Sequence, residues 1–110
     1  MMWNLTYWNN EKTGNSPVEK WLSKLTEEQF DSVFKEIRQL KTLGNQITLP
    51  HSKALGKGLF ELRERDFGLR VYYGFHGKFL VIVLAAGDKT SQERDIKIAR
   101  ERLSTVKKGK

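Results

Sequence analysis

The stretch GLFELRERDFGLRVYYGF, residues 58–75, decides the fold of this chain. Its apolar residues recur at every second position on both sides of a central turn, which is typical of a β-hairpin with one buried face. The opposite face of the predicted hairpin carries Arg63, Arg65, Arg70 and Tyr72. A small domain that lines one sheet face with three arginines is expected to bind an anion there, because guanidinium groups grip phosphate oxygens in pairs.

The register of this hairpin follows from its apolar face. For the apolar faces of both strands to coincide, the numbers of paired residues must sum to an odd number, and a two-residue turn at Phe67-Gly68 meets this condition. This register predicts that Arg65 faces Arg70 and that Arg63 faces Tyr72.

Residues 16–43 predict two consecutive helices. Ser16 with Glu19, and then Thr26 with Gln29, have the spacing of a capping box, in which two residues satisfy each other's backbone amides at a helix start. Apolar residues recur every three to four positions after each box, as in an amphipathic helix, and Gly44 ends the second helix. Two helices without a spacer are expected to form a helical hairpin.

The remaining segments complete the predicted order β-α-α-β-β-β-α, an α+β fold. Residues 3–7 alternate as a first strand, and residues 78–86 are apolar on both faces, as in a central strand. A tight turn at His76-Gly77 is expected before this central strand. Residues 45–58 are predicted to be loop, and Thr90 is predicted to cap the last helix.

Length and composition predict a single domain, residues 1–106, followed by a basic tail, residues 107–110. The absence of cysteine excludes disulfides and thiolate metal sites, and it agrees with a cytoplasmic location. No cluster of histidines and carboxylates has ligand spacing, so neither a metal nor a cofactor is expected. The N-terminus lacks the features of a signal peptide, and no apolar run is long enough to cross a membrane.

The formal net charge of +7 is unevenly distributed. Residues 1–34 contain three basic and five acidic residues, whereas residues 35–110 contain seventeen basic and eight acidic ones. This asymmetry favours a polyanionic partner, which would be RNA, DNA or an acidic protein that covers the same surface. The alternative is that the excess lysine only aids solubility.

Basic side chains are also predicted to converge in space. The segment AAGDKT, residues 85–90, returns the chain to the end of the sheet at which the hairpin turns. Lys89 is therefore expected to lie beside Arg65 and Arg70, and Asp88 with it. A face that is merely solvated would not need basic residues from three separate parts of the sequence.

Several of these residues also have a purely structural interpretation. Glu61 could act as a base or simply pair with Arg63. Tyr72 could stack on a nucleic-acid base or fill the sheet face. Lys89 could transfer protons or only flank the last helix beside Asp88.

Taken together, these segments resemble the RelE/ParE superfamily of bacterial type II toxins, and within it the HigB-like addiction-module killer proteins. The resemblance rests on GLFELRERDFGLRVYYGF, on FLVIVLAAGDKTSQERDIKIA and on the SPVEKWLSKL opening of the helical hairpin. It extends from Trp3 to about Leu103. It implies a RelE/ParE-like two-layer fold, with the helical hairpin packed on a four-stranded, mainly antiparallel sheet and the first strand beside the last.

The resemblance also implies an activity. Relatives of the RelE and HigB type are ribosome-dependent mRNA endonucleases that inhibit translation and act without a metal. Arginines on the second and third strands and a basic residue after the last strand match the family's charge-stabilising positions, and relatives carry further lysines in the loop before the second strand. The catalytic residues expected from this match are Arg63, Arg70 and Lys89, and the expected RNA-binding residues are Lys53, Lys57, Arg65 and Tyr72.

The match with the family is incomplete at the C-terminus. Some relatives place a tyrosine or histidine there as acid, base or stacking group, whereas this chain has SQERDIK, so no general base is assigned. Two other functions stay open, a ParE-like toxin that inhibits DNA gyrase without nuclease activity and a non-toxic RNA- or protein-binding relative. The partners expected from the resemblance are a cognate antitoxin with a HigA-like helix-turn-helix fold, the ribosome and mRNA.

Overall fold

The chain forms five strands and three α-helices, and the computed structural model describes residues 2–108. The strands are β1 (Asn4–Tyr7), β2 (Ser52–Gly56), β3 (Leu59–Glu64), β4 (Leu69–Phe75) and β5 (Leu80–Asp88). The helices are α1 (Pro17–Ser23), α2 (Glu27–Leu43) and α3 (Gln92–Lys108), with short 3-10 turns at Gly44–Gln46 and Lys89–Ser91.

The five strands form one mixed sheet in the order β1-β5-β4-β3-β2. β1 runs parallel to β5, and the other neighbours are antiparallel. This arrangement confirms the predicted α+β fold, with the first strand beside the last. The sheet has one strand more than expected, because residues 52–56, predicted to be loop, pair with β3. Edge strands of this kind are short and lysine-bearing, so they lack the apolar alternation that identifies a strand in a sequence.

Helices cover both faces of the sheet. On one face, α1 and α2 pack their buried residues against the apolar side of β3, β4 and β5, which includes Leu62, Val71 and Val83. On the other face, Ala99 and Leu103 of α3 pack on a second apolar cluster. The three central strands are therefore buried on both faces, which fixes their register strongly.

The helix starts are only partly as predicted. The capping box of Thr26 and Gln29 is formed, with its two hydrogen bonds at 3.0 and 3.1 Å. The box predicted for Ser16 is not formed, because the Ser16 hydroxyl is buried and makes no hydrogen bond within residues 2–108. The cap before α3 is Asp88 rather than Thr90, since the Asp88 carboxylate accepts hydrogen bonds from the backbone amides of Thr90 and Ser91.

Both predicted tight turns are wrong. β3 and β4 are joined by a four-residue loop, residues 65–68, so Arg63 lies opposite Arg70 and Arg65 lies outside the strand pairing. The turn expected at His76-Gly77 is also longer, spans residues 76–79, and leaves Phe75 opposite Val81. The first loop keeps the apolar faces of β3 and β4 aligned, so the alternation alone does not distinguish it from a two-residue turn. The second loop changes which residues of β5 share a face with Tyr73, and places Val81 and Val83 under α1 and α2. The sequence does not reveal this change, because β5 is apolar on both faces.

Helix α3 extends to Lys108, so the first two residues of the predicted basic tail, 107–110, belong to a helix. Gly109 and Lys110 lie outside the described residues, as does Met1. None of the helices within residues 2–108 combines the length and the apolar character that crossing a membrane requires.

Candidate functional site

A groove of about 520 Å³ opens at the end of the sheet where β3 turns into β4. Four basic side chains from four elements of the chain line it. Arg63 and Arg70 come from β3 and β4, Arg65 from the loop between them, and Lys89 from the turn after β5. The structure thus brings Lys89 to the same groove as Arg65 and Arg70. The other lining residues are Glu64, Asp66, Phe67 and Gly68.

A buried carboxylate lies between the two strand arginines. Glu61 is 0% exposed, and its Oε1 accepts a hydrogen bond from Arg63 Nε at 2.9 Å and one from Arg70 Nη1 at 3.4 Å. Its Oε2 accepts from Gln92 Nε2 at 2.7 Å. Of the two interpretations of Glu61, the pairing with Arg63 is therefore formed. A carboxylate held by three donors and shielded from solvent is a poor candidate for a general base.

The two arginines differ in how far they reach into solvent. The Arg63 side chain is 32% exposed, whereas that of Arg70 is 13% exposed. The Nε of Arg70 is buried and has no hydrogen-bond partner within residues 2–108. An unpartnered donor of this kind is uncommon, because a buried polar group without a hydrogen bond costs free energy. Arg70 therefore retains one buried donor that the described residues do not use.

Tyr72 does not have the RNA-stacking position expected for it. Its side chain is 0% exposed and belongs to the apolar cluster under α3, opposite Glu61 in the strand register. Burial, and then the nearby carboxylates of Glu61 and Asp95, raise the pKa of its hydroxyl above the ordinary value. The prediction is wrong because the alternation of β4 shows which face Tyr72 occupies but not that α3 covers it.

The loop that carries Arg65 is organised by Glu64. The Glu64 carboxylate accepts hydrogen bonds from the backbone amides of Asp66, Phe67 and Leu69, and a fourth from the Ser32 hydroxyl on α2 at 2.6 Å. Burial alone would raise the pKa of Glu64, but these hydrogen bonds outweigh it and hold that pKa below its ordinary value. The loop conformation is thus fixed by a charged group that stays ionised.

Lys89 lies in a turn that hydrogen bonds hold at both ends. Asp88 accepts hydrogen bonds from the Thr90 hydroxyl and from the amides of Thr90 and Ser91, and these lower the pKa of its carboxyl against the opposing effect of burial. The Ser91 hydroxyl donates to the buried Asp95 carboxylate at 2.5 Å. Both side chains pass so close to Gly87 that any side chain there would overlap them.

Lys53 and Lys57 lie at different distances from the groove. Lys53 is exposed on β2 opposite Glu61, so it lies on the sheet face that carries the arginines. Lys57 lies in the turn between β2 and β3, at the other end of β3, and lines a separate pocket of about 320 Å³ with Arg100 and Lys107. The length of a six-residue strand puts it roughly 20 Å from the groove.

Histidine and tyrosine side chains are missing from the groove lining within residues 2–108. His51 contacts Glu36 on α2 instead, with 3.1 Å between its Nδ1 and the carboxylate. His76 lies in the turn at the other end of β4. The same residues 2–108 contain no group of three or more histidine or acidic side chains arranged to hold a metal ion.

Four residues that shape the site were not singled out in the sequence, namely Gln92, Glu64, Gly87 and Asp95. Gln92 is the first residue of α3, and the apolar repeat of that helix gives no indication of a role for it. Glu64 falls on the apolar face of β3, and a charged residue at an apolar position is the signal that could have identified it.

The comparisons with known proteins agree with this architecture. Residues 20–104 match the family model described as Phage derived protein Gp49-like. The chain belongs to this family. An uncharacterized protein of Haemophilus influenzae is 37% identical to this Gp49-like chain over 84 residues, which cover 74% of the chain and 81% of that protein.

Two solved structures share the fold of this Gp49-like chain. A mutant of the E. coli toxin RelE in the free state superposes with a TM-score of 0.66 at 17% identity, over 93% of this chain and 98% of that one. The isolated E. coli RelE toxin superposes with a TM-score of 0.55 at 18% identity, over 87% and 98%. The RelE-like fold that the resemblance implies is thereby confirmed, and the assignment to the RelE/ParE superfamily and its HigB-like members stays a prediction.

Proposed function

We propose that this Gp49-like chain is the toxin of a type II toxin–antitoxin pair and that it inhibits translation by cleaving mRNA on the ribosome. The observation that carries the proposal is the groove in which Arg63, Arg65, Arg70 and Lys89 meet. The fold shared with a toxin, RelE, supports it. The charge distribution supports it too, because the excess of basic residues lies after residue 34, in the part of the chain that builds the groove.

The proposed reaction is attack of a ribose 2′-hydroxyl on the adjacent phosphorus. The P–O2′ bond forms and the bond to the 5′-oxygen breaks, which gives a 2′,3′-cyclic phosphate and a 5′-hydroxyl. The phosphorane-like transition state carries more negative charge on its oxygens than the substrate does, so preorganised cations lower the barrier. Arg63 and Arg70 are proposed to bind these oxygens through guanidinium nitrogens that Glu61 does not use.

Lys89 is proposed to supply the proton that the leaving 5′-oxygen needs. Its side chain lines the groove and is exposed at the rim, and the Asp88 cap fixes the backbone on which it stands. A charged ammonium can donate a proton and at the same time stabilise the developing negative charge. The group that removes the 2′-proton is not assigned, since neither a histidine nor a tyrosine within residues 2–108 lines the groove.

Three further basic residues are proposed to hold the RNA strand. Arg65 is exposed on the loop and lines the groove, and Lys53 is exposed on the sheet face that carries the arginines, so both are proposed to bind phosphates next to the one in the groove. Lys57, at the other end of β3, would bind a phosphate several nucleotides away. Each such contact adds affinity through counterion release without selecting a sequence.

The same surface determines the proposed partners. A toxin that binds RNA through exposed cations is neutralised most simply by a protein that covers them, so the antitoxin is proposed to cover the groove or to hold it off the ribosome. A HigA-like antitoxin and a cytoplasmic location complete the proposal.

The second candidate is a protein with this fold that does not cleave RNA, either a ParE-like inhibitor of DNA gyrase or a non-toxic RNA- or protein-binding relative. Two observations favour it. The groove lining within residues 2–108 contains no histidine or tyrosine, and the buried Glu61 already neutralises part of the arginine charge.

Mapping of transcript 5′-ends after brief induction in a bacterial host tests the proposal. Lys89→Ala and Arg65→Ala are the first variants, because both side chains are exposed and their loss leaves the core intact. Arg38→Ala, which removes an exposed arginine on α2, is the matched control. Arg63→Ala and Arg70→Ala follow with a parallel measurement of folding, because each leaves Glu61 with one cation fewer.

The expected result is new cuts within translated codons for the unmodified protein and for Arg38→Ala, with few or none for Lys89→Ala. Growth arrest with intact messages and blocked DNA replication would establish the ParE-like function instead. Undisturbed growth would establish the non-toxic relative.

A further inference from the structure

Glu61 joins three elements at a single buried point. Arg63 on β3, Arg70 on β4 and Gln92 at the start of α3 all donate to its carboxylate. A buried carboxylate stabilises a fold poorly, since the loss of its hydration offsets most of what the ion pairs gain. An apolar pair at this position would hold β3 and β4 together at least as well. The retained charge is better explained by its effect on the two arginines.

The two arginines need such a group because of the strand register. Arg63 and Arg70 are directly opposite each other on β3 and β4, and like charges in that position repel. The Glu61 carboxylate accepts from both and so reduces the repulsion. It binds Arg63 through Nε, which leaves the two terminal nitrogens of Arg63 without a hydrogen bond to any of residues 2–108. Two guanidinium N–H groups side by side are what a phosphate binds.

Gln92 fixes the carboxylate in turn. Its Nε2 donates to Oε2 at 2.7 Å, whereas both arginines donate to Oε1. This division of the two oxygens sets the rotation of the carboxylate group about its terminal bond. Without Gln92 the carboxylate can turn, and the Arg63 guanidinium turns with it. The first residue of α3 thereby controls the geometry of a cation on β3.

We propose that Glu61 and Gln92 are positioning residues of the groove, in which Glu61 sets Arg63 and Arg70 as one phosphate-binding pair and Gln92 holds Glu61. Glu61 acts through the arginines and does not touch RNA, because it is fully buried. The kinetic consequences rest on the proposed RNA cleavage, whereas the arrangement of the guanidinium groups does not.

Glu61→Gln is the first test, because it keeps the shape of the side chain and removes only its charge. Turnover is measured as cleavage of a defined message in a reconstituted translation reaction. Affinity is measured separately with an RNA oligonucleotide that carries 2′-O-methyl groups and so cannot be cleaved. We expect turnover to fall about 100-fold, the size of effect that misplacement of a catalytic group produces. Affinity for the uncleavable RNA should stay unchanged or increase, because the loss of the carboxylate makes the net charge of the groove one unit more positive.

Gln92→Ala and Glu93→Gln complete the set. Gln92→Ala removes the hydrogen bond to Oε2 and is expected to lower turnover about tenfold, as a smaller displacement of the same groups. Glu93→Gln, which neutralises the exposed neighbouring residue of α3, is the matched control and should leave turnover unchanged. The pH profile of cleavage should keep its shape in all three variants. Loss of its acidic limb in Glu61→Gln would show that Glu61 is the general base and overturn the proposal.

NMR of the arginine Nε–Hε groups gives a readout that needs no cleavage. The Arg63 signal is expected to shift in Glu61→Gln and in Gln92→Ala, and to stay in place in Glu93→Gln. Unmoved arginine signals would overturn the proposal. So would a parallel fall of turnover, affinity and melting temperature, since that marks a residue needed only for folding. If the unmodified protein cleaves no message, the proposed function fails, and the NMR arm still decides whether Glu61 and Gln92 position the arginines.

Discussion

Ser32 on α2 donates a hydrogen bond to Glu64 at the end of β3, with 2.6 Å between the hydroxyl and carboxylate oxygens. This contact joins the helical layer to the loop of residues 65–68, because the same carboxylate accepts hydrogen bonds from the backbone amides of Asp66 and Phe67 in the loop and of Leu69 just after it. The groove that holds Arg65 is therefore braced from the opposite side of the sheet. The Ser32 side chain, which does not line the groove, therefore helps to fix the conformation of the loop.

Glu64→Ala is expected to loosen this loop. The substitution leaves three backbone amides and one hydroxyl without their acceptor, which is expected to lower the free energy of unfolding by about 2 kcal/mol. Urea unfolding measures the loss, and hydrogen exchange of the loop amides locates it. Asp66→Ala is the matched control, because the exposed Asp66 side chain lies in the same loop. Equal stability of the two variants would contradict the proposed brace.

The stability of the chain should depend on pH through the same carboxylate. The pKa of Glu64 is lower in the folded chain than its ordinary value of 4.5, so the ionised group stabilises the fold above that pH. This contribution is lost as pH falls through the folded pKa. We expect the unfolding free energies of the unmodified protein and of Glu64→Gln to approach each other between about pH 6 and pH 3. A constant difference, measured by urea unfolding across this range, would show that Glu64 does not titrate as described.

Gly87→Ala is expected to disturb the start of α3. A methyl group at this position would overlap the Asp95 carboxylate and the Ser91 hydroxyl, so the turn that carries Lys89 must shift. We expect a loss of about 1–3 kcal/mol in the free energy of unfolding, as for other overpacked positions. Gly77→Asn is the control, since its Cβ meets no atom within 4 Å and asparagine tolerates the positive φ found there. Thermal unfolding of both variants makes the comparison.

The lysines around the sheet should separate into two classes. Lys89→Ala is expected to lower both turnover and RNA affinity, because Lys89 lines the groove. Lys53→Ala and Lys57→Ala should lower affinity alone, and each should reduce the slope of log affinity against log salt by about 0.7, the value for one phosphate contact on a single strand. Binding of uncleavable RNA across a salt series tests this. Lys24→Ala, at the end of α1, is the control variant and should leave RNA affinity and its salt dependence unchanged. A turnover defect in Lys57→Ala would place Lys57 at the reaction.

Tyr72→Phe should leave RNA binding unchanged. The Tyr72 hydroxyl is buried and has no hydrogen-bond partner within residues 2–108, so its removal costs no hydrogen bond there. We expect the free energy of unfolding to stay the same or to rise by up to about 1 kcal/mol. Chemical unfolding and RNA titration of the variant measure the two quantities. A clear loss of RNA affinity would mean that α3 moves away and exposes Tyr72.

Much of the architecture could be read from local pattern. The apolar alternation of residues 58–75, the amphipathic repeat of α2 and the two-sided apolar run of β5 predicted the element order and the α+β fold. These patterns are informative because each element has to bury one face or both. β2 was missed because an edge strand buries little. The length of the β3–β4 loop was misjudged because several lengths keep the same faces buried, and that of the β4–β5 loop because β5 is apolar on both faces.

The candidate site was predictable only in part. That Arg63, Arg70 and Lys89 would share one end of the sheet follows from strand direction and from the short path between β5 and α3. The burial of Tyr72 and the separation of Lys57 from the groove did not follow, because both depend on which element lies alongside. Whether a helix covers a residue, and how far a strand separates two residues, depends on contacts between segments that are distant in the sequence.

The sequence by itself therefore determined which residue types meet the sheet face, since period-two alternation assigns every side chain to one side of a strand. Only the tertiary structure decided which of those residues form hydrogen bonds with each other and which are buried. Glu61 becomes the shared partner of Arg63 and Arg70 once β4 pairs with β3 and α3 brings Gln92 to its second oxygen. The physical reason is that alternation acts along one strand, whereas hydrogen bonds and burial join residues that the chain brings together from far apart.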